Sequence, residues 1–342
     1  MFVPSALAVD PNPSYQDKGD FYLTYKPTDY FQAYEDWVKG AKYFEGEIQF
    51  LNETFKLPYD VEIVIADSSY DPNCEYPNAF YYPVEKEIVI CYEFIYAPNW
   101  KFGEYYERVY EGVWTTEQND YSTINVIDHT FYHEMGHALI DIYELPITGP
   151  EESVADQFGA YMVLGFLEQE IAQDTMMDTA IDFWLAAEEN PDLTESAFAD
   201  THALNQQRFY DLACWAYGSD PDYHQYMWSS EDWIPENRLQ WCEWEYETMV
   251  YSWDILLAPF FKDFSPEFLY NYEVWFYQYV QTQKSQTQLE SAPESSDQEG
   301  MPKVPDWVRS IFIWYGEEKI SEDELLNAIK FLVSQGIIKV SP

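Results

Sequence analysis

Residues 129–142, His-Thr-Phe-Tyr-His-Glu-Met-Gly-His-Ala-Leu-Ile-Asp-Ile, decide how this chain is interpreted. They contain an H-E-x-x-H motif, and apolar residues at helical spacing predict a helix that ends before Pro146. Residues four apart lie on one face of a helix, so His133 and His137 can offer two imidazole nitrogens to one metal ion. Glu134 lies beside that position, where it can accept a proton from a metal-bound water.

The motif by itself also fits two surface histidines on an amphipathic helix. Against this, the chain has only 5 histidines, and His129 joins the two of the motif within one short stretch. Small residues, Gly136 and Ala138, would allow another part of the backbone to approach closely. His129 lies eight residues before His137, about 12 Å along a helix, which is too far for both to bind one ion. We therefore expect His129 to be a packing or supporting residue.

A third ligand is expected from the next segment. Pro146 ends the first helix, and Pro150 is suited to the first turn of a second one. Glu151 and Glu152 follow, and carboxylates in a first turn are also explained by the helix dipole alone. Asp156 lies four residues after Glu152, on the same face. This spacing predicts that Glu152 binds the metal and that Asp156 orients one of the ligand histidines.

The motif followed by Glu152-x-x-x-Asp156 resembles the gluzincin pattern of thermolysin-like metallopeptidases, although the connecting loop is shorter here. Upstream, residues 78–80, Asn-Ala-Phe, resemble the edge-strand segment with which these enzymes hold the substrate backbone. The resemblance implies that the Asn78 side chain and the Ala79 backbone bind an extended peptide by β-augmentation. The alternative for Asn78 is a turn residue after Pro77.

A closer resemblance is to an uncharacterised family of metallopeptidases, over roughly residues 20–280. The similar segments are residues 74–93, 133–141, 151–157, 207–210 and 252–259. This resemblance implies a zinc-peptidase fold and peptidase activity, without a substrate. It also marks residues 201–210, where His202, Arg208 and Tyr210 are candidates for transition-state stabilisation. His202 is favoured by analogy with thermolysin-like sites, Tyr210 is a second catalytic candidate, and Arg208 is a candidate for substrate binding. Alternatively, Arg208 and Tyr210 are structural.

The charge composition of the chain limits the kinds of molecule that it can bind. The 342 residues include 62 acidic and 17 basic side chains, a net charge of −45. Such a chain is unsuited to nucleic acids or anionic membranes, which require basic patches. The charge is explained by solubility, by adaptation to salt, or by calcium binding, and Ca²⁺ is therefore a second candidate ion beside Zn²⁺. We expect a peptide or protein substrate, no nucleic acid and no membrane insertion.

The N-terminus and the cysteines indicate export. Residues 1–8 end in Ala-Leu-Ala and are interpreted as the remnant of a signal peptide, the alternative being an apolar tail. The cysteines lack C-x-x-C spacing, and three pairings are open. The local pairs, Cys74–Cys91 and Cys214–Cys242, are favoured. In a reducing compartment all four would be buried thiols. No other stretch is long enough to span a membrane.

The predicted fold is α+β, with a small mixed sheet and the motif helix followed by a mostly helical half, as in zincins. Strands are expected at 61–65 and 87–91 with an edge strand within 73–82, and helices at 29–56, 151–188, 193–217, 243–258 and 266–283. The catalytic domain would span 9–283 and a linker 284–301. Residues 302–342 resemble short helical modules of exported archaeal proteins. That module would dock on the catalytic domain, on its own copy or on a surface partner.

These patterns together predict an exported zinc peptidase in which His133, His137 and Glu152 hold one zinc ion. Glu134 would be the general base for a zinc-activated water. Two alternatives stay open. One is a zincin-fold binding or cell-surface protein without catalysis, and the other is a different divalent ion at the same ligands.

Overall fold

A computed structural model describes residues 16–110, 115–189, 194–223 and 233–262, together with Lys330. The expected signal-peptide remnant, the helix at 266–283, the linker and the C-terminal module lie outside the described residues.

A small mixed sheet stands at one side of the molecule. Its strands are β1 (Phe21–Tyr25), β2 (Val61–Ala66), β3 (Ala79–Tyr82) and β4 (Glu87–Cys91), in the order β1-β2-β4-β3. β1, β2 and β4 are parallel, and β3 pairs antiparallel with β4. β2 and β4 are almost continuously apolar and are buried on both faces, as parallel strands covered by helices usually are.

Helices make up most of the rest. They are α1 (Gln32–Ala41), α2 (Tyr43–Thr54), α3 (Tyr92–Tyr110), α4 (Thr116–Ile142), α5 (Glu151–Phe166), α6 (Gln169–Glu189), α7 (Glu195–Phe198), α8 (Asn205–Ser219) and α9 (Glu236–Leu257). The α+β class, with a small mixed sheet followed by a mostly helical half, is confirmed.

Several element boundaries differ from the prediction. The helix expected at 29–56 is two helices, because Lys42 adopts a left-handed backbone (φ 52°) between them. The helix expected at 151–188 is interrupted at Leu167, whose backbone is extended. The segment at 193–217 divides into α7 and α8. β1 and α3 were not predicted, and α3 contains Pro98, which obscured its helical pattern.

The H-E-x-x-H motif lies on α4, which is the most central helix of the described chain. α4 packs against α3, α5, α6 and β3, and it is buried on nearly every face from Ser122 to Ile142. Its N-terminus is fixed by a capping box, in which the Thr115 hydroxyl accepts from the Gln118 N–H and the Gln118 side chain accepts from the Thr115 N–H. Because α4 is buried on nearly every side, most of its polar side chains must find their partners within the protein.

Two disulfides link the elements around this core, and they are the local pairs expected from the sequence. Cys74–Cys91 joins the 3₁₀ turn Pro72–Glu75, which precedes β3, to the end of β4. Cys214–Cys242 joins α8 to α9. In the described part of the chain, no helix is long and apolar enough to cross a membrane.

Candidate active site

Two glycines allow α5 to lie directly against the motif helix α4. A Cβ atom on Gly136 would lie 3.0 Å from the Cβ of Phe158, and one on Gly159 would lie 2.9 Å from Nε2 of His129. Such distances are shorter than ordinary van der Waals contacts. Because neither helix carries a side chain at these points, α5 comes close enough for its first turn to reach the histidines of α4.

Three potential ligand atoms converge at this helix crossing. Nε2 of His133 and Nε2 of His137 are 3.2 Å apart. Oε2 of Glu152 lies 3.4 Å from the first and 3.3 Å from the second. All three atoms fall within 4.8 Å of one another, as a single metal ion requires. The three ligands predicted from the sequence are thus brought together.

The outer nitrogens of both histidines are held by carboxylates. Nδ1 of His133 lies 2.8 Å from Oδ1 of Asp156, and Nδ1 of His137 lies 2.8 Å from Oε1 of Glu151. Each carboxylate accepts a hydrogen bond from Nδ1–H, and the lone pair of the ring is then on Nε2. Two imidazole lone pairs and a carboxylate oxygen then face one point. A divalent cation satisfies all three at once, so this donor set fits a metal ion well.

The charges around His133 also favour a cation. Burial alone would lower the pKa of His133, but the hydrogen bonds that its ring donates to Asp156 and Glu152 outweigh it and raise the pKa to about 9 in the metal-free protein. Burial opposes ionisation of Glu152, yet hydrogen bonds from the surrounding histidines hold its pKa far below the usual range. A proton therefore competes with an ion for Nε2 of His133, so metal affinity should increase with pH.

Asp156 is itself held by Arg208 from α8. Nε of Arg208 donates to Oδ2 of Asp156 at 2.8 Å, and Nη2 donates to Oδ1 at 2.5 Å. The guanidinium also lies over the ring of Phe183, 3.8 Å from its centroid. This bidentate pair keeps Asp156 ionised although it is buried, and it lowers the pKa of that carboxyl against the effect of burial. The substrate-binding role expected for Arg208 stays a prediction.

Glu134 lies next to the ligands but is not one of the converging atoms. Glu134 is only 6% exposed, and its Oε1 is 4.0 Å from Nε2 of His133. Burial raises the pKa of this carboxyl above its ordinary value, although the neighbouring histidines act in the opposite direction. A raised pKa makes this carboxylate a stronger base than an ordinary glutamate, which suits a group that accepts and returns a proton.

His202 reaches the site from the loop before α8. Its Nε2 lies 3.0 Å from Oε2 of Glu152, and its Nδ1 lies 3.2 Å from Oδ1 of Asp200. The side chain is about half exposed, so it stands at the open side of the site. The hydrogen bond to Glu152 raises the pKa of His202 more than burial lowers it. His202, the histidine favoured from the sequence, therefore lies beside the predicted metal ligands.

Tyr210 does not reach the ligands. It lies two residues after Arg208 on α8, which is about 200° around the helix, so it points away when Arg208 faces Asp156. Its ring packs edge-on against Phe209, with centroids 5.0 Å apart, and remains partly exposed. The catalytic role expected for Tyr210 stays a prediction.

His129 supports the helix pair, as expected. It is buried, its Nε2 has no hydrogen-bond partner, and its ring lies against Gly159. Burial lowers its pKa to about 3, so the ring stays neutral. It therefore acts as an uncharged spacer between α4 and α5.

Asn78 and Ala79 lie at the free edge of the sheet. The Cys91 N–H donates to the Asn78 carbonyl at 3.3 Å, so Asn78 and Cys91 form a hydrogen-bonded pair. In an antiparallel ladder such pairs alternate, and Ala79 opposite Ile90 is therefore a non-bonded pair. The backbone N–H and C=O of Ala79 thus point away from β4. β3 is the last strand of the sheet, so these groups face an edge to which a further strand can pair.

Two supporting residues were missed by the sequence analysis. Glu151 was explained by the helix dipole alone, but it holds His137. Asp200, two residues before His202, was not considered, although an aspartate so close to a histidine is a recognisable signal for a hydrogen bond. Among the described residues, the other group close enough to bind one ion is Cys74, Cys91 and Glu93, and its cysteines are joined in a disulfide.

Comparison with known proteins places the chain in a family. Residues 25–257 match the family model DUF4344, which is described as "Putative metallopeptidase". The match covers well over half of the 342 residues, and the chain belongs to this family. No curated protein and no solved structure matches the chain. The resemblance to an uncharacterised family of metallopeptidases is therefore confirmed, and membership indicates a peptidase that depends on a metal ion.

Proposed function

We propose that this protein is an exported zinc peptidase of the gluzincin type. The observation that carries the proposal is the convergence of Nε2 of His133, Nε2 of His137 and Oε2 of Glu152, each within 3.4 Å of the others. Two histidines and one carboxylate are the ligand set of zinc sites that keep a position open for water or substrate. Family membership supports the peptide substrate.

The chemistry assigns a role to each neighbouring group. A bound zinc ion would supply Lewis acidity toward the attacking water and the peptide carbonyl. Glu134 accepts the proton of that water and returns it to the leaving amine. His202, oriented by Asp200, donates a hydrogen bond to the oxyanion that develops on the carbonyl. Asp156 and Glu151 keep both ligand histidines in the tautomer that presents Nε2.

The free edge of β3 offers a place for the substrate backbone. Ala79 presents its N–H and C=O outward, and an extended peptide would pair with them as an additional strand. The Asn78 side chain and Arg208 are the further groups that we propose for substrate binding. These hydrogen bonds contact only the peptide backbone, which is the same in every sequence. Specificity would therefore depend on pockets for alternate side chains.

Export is supported by the two disulfides, because such bonds persist in oxidising compartments. The large acidic excess suits a protein that must remain soluble outside the cell.

Metal content and hydrolysis test the proposal together. Elemental analysis should find about one zinc per wild-type chain, and Glu152→Ala should lose it because only two ligands remain. Glu134→Gln should keep the zinc but lose hydrolysis of a peptide library. The rate should fall by at least a hundredfold, as expected for removal of a general base.

Other outcomes would separate the alternatives. Zinc retained in Glu152→Ala would indicate that Glu151 or another residue is the third ligand. A metal-loaded wild type that binds peptides without cleaving them would indicate a zincin-fold binding protein. Full activity in Glu134→Gln would refute the mechanism.

A further inference from the structure

We propose that Asp141 and Lys86 form a clamp that holds the edge strand β3 on the motif helix α4, and that they are thereby positioning residues for the peptide substrate. The inference rests on the proposed peptidase function. It adds a connection between the metal ligands and the strand that would bind the peptide.

The position of Asp141 on α4 is the first observation. Asp141 follows His137 by four residues, so it lies on the same face of the helix, about 6 Å further along the axis. One helix face therefore carries the metal ligands and, one turn later, a carboxylate. A segment that is bound to Asp141 therefore stays at a constant distance from the predicted metal ligands on the same helix.

What Asp141 holds is the β3–β4 hairpin. The hydroxyl of Tyr81, in β3, donates to Oδ2 of Asp141 at 2.6 Å. Nζ of Lys86, at the end of the turn before β4, forms an ion pair with the same oxygen. Burial alone would raise the pKa of Asp141, but the hydrogen bonds from Lys86 and Tyr81 hold it below the ordinary value. The carboxylate is thus ionised and doubly bound at neutral pH.

The backbone of Lys86 is the second, independent observation. Its φ is 57°, in the left-handed region that glycine adopts far more easily than lysine. The turn would be satisfied by glycine if only its backbone mattered. A lysine at this position adds two contacts. Its Nζ pairs with Asp141 and lies 5.8 Å from the centroid of the Tyr59 ring.

The clamp acts on a residue that would bind the peptide. Tyr81 pairs with Ile88, two positions from the non-bonded pair of Ala79, so it also occupies a non-bonded position. Its backbone N–H and C=O therefore face the open edge while its side chain is held by Asp141. A peptide added to β3 would bond to Ala79 and Tyr81, and the clamp decides how those groups are placed relative to the metal.

Binding of a peptide to a non-hydrolysing variant tests the clamp. Glu134→Gln is combined with Asp141→Asn or with Lys86→Gly, and a fluorescein-labelled peptide that wild type cleaves is titrated by anisotropy. The loss of one partly exposed charged contact is expected to raise Kd about two- to fivefold. In the Glu134-intact enzyme, KM should rise similarly while kcat changes less than twofold. Zinc content should stay at the wild-type value.

The matched control is Asp182→Asn. Asp182 pairs with Lys101 at 2.7 Å between α3 and α6, which is another lysine–aspartate pair that does not touch β3. It should leave Kd and KM unchanged. Hydrogen exchange of the β3 amides, measured by mass spectrometry, should be faster in Asp141→Asn than in Asp182→Asn.

The outcomes separate the clamp from the proposed function. Unchanged Kd and KM in both clamp variants would overturn the proposal, even if β3 exchanged faster. An equal rise in Asp182→Asn would also overturn it, since a general loss of stability would then be the cause. Absence of peptide cleavage by zinc-loaded wild type would instead refute the peptidase function, and the substrate role of the clamp with it.

Discussion

Gly159→Ala should push α5 away from α4 and weaken metal binding. The added Cβ would lie 2.9 Å from Nε2 of His129 and 3.1 Å from its backbone oxygen. Ordinary contacts are about 3.5–4.0 Å, so the helices must separate by several tenths of an ångström. His129 cannot move aside easily because it is buried within the helix pair.

The change in the free energy of unfolding is the sum of two opposing effects. Overpacking of a buried contact costs about 1–3 kcal/mol. Alanine has a better helix propensity than glycine by about 1 kcal/mol. Gly165→Ala is the matched control, because it lies on the same helix and its Cβ would meet no atom within 4 Å. The control should therefore gain about 1 kcal/mol of stability, and the two variants should differ by the overpacking term, about 1–3 kcal/mol.

Metal affinity should fall along with stability. Glu152 and Asp156 both lie on α5, so a displaced α5 moves one ligand and the partner of another. Loss of such support typically lowers metal affinity about ten- to a hundredfold. Urea unfolding of the metal-free protein measures the first effect, and zinc titration against a chromophoric chelator measures the second. If Gly159→Ala matched Gly165→Ala in both assays, close approach of the helices would not be what forms the site.

Two further predictions concern stability. Burial raises the pKa of Asp128 to about 8 from the model-peptide value of 3.8, and the Tyr43 hydroxyl donates to this carboxyl. Between these pH values the folded protein binds more protons than the unfolded chain, so the free energy of unfolding falls as pH rises. Asp128→Asn should flatten the dependence of Tm on pH from 5 to 8, and an unchanged slope would contradict this. Replacing either disulfide pair by alanines, at sequence separations of 17 and 28, should lower the free energy of unfolding by about 3 kcal/mol. Reduction of the wild type opens both bonds and should lower it by about 6 kcal/mol, and an unchanged urea midpoint in reductant would disprove this.

The part of the site that lies on one helix was predictable. His133, Glu134 and His137 are related by the helical period alone, so their mutual placement needs no knowledge of other elements. Glu152 and Asp156 were predictable for a related reason. A short loop, residues 143–150, connects their helix to α4, and the four-residue spacing puts both on one face.

Contacts between distant segments were not predictable. Arg208 and Asp156 are 52 residues apart, and their pairing depends on how α8 packs beside α5. The same is true of Asp141, which looked like one more polar residue at the end of a helix until β3 and its turn were placed beside it. Tyr210 lies two residues after Arg208, about 200° around α8, and the residue type alone does not indicate which of these two side chains faces Asp156.

The sequence by itself determined the local chemistry: a helix with two histidines and a glutamate, an adjacent helix with two carboxylates, and strands apolar enough to be buried. Local structure follows from residue order, because hydrogen bonds and side-chain periodicity act over a few residues. Only the tertiary structure decided the distance between α4 and α5, the partners of the ligand histidines and the attachment of β3 to the motif helix. Those depend on packing between segments far apart in the chain, where a glycine in place of a larger residue changes which atoms can meet.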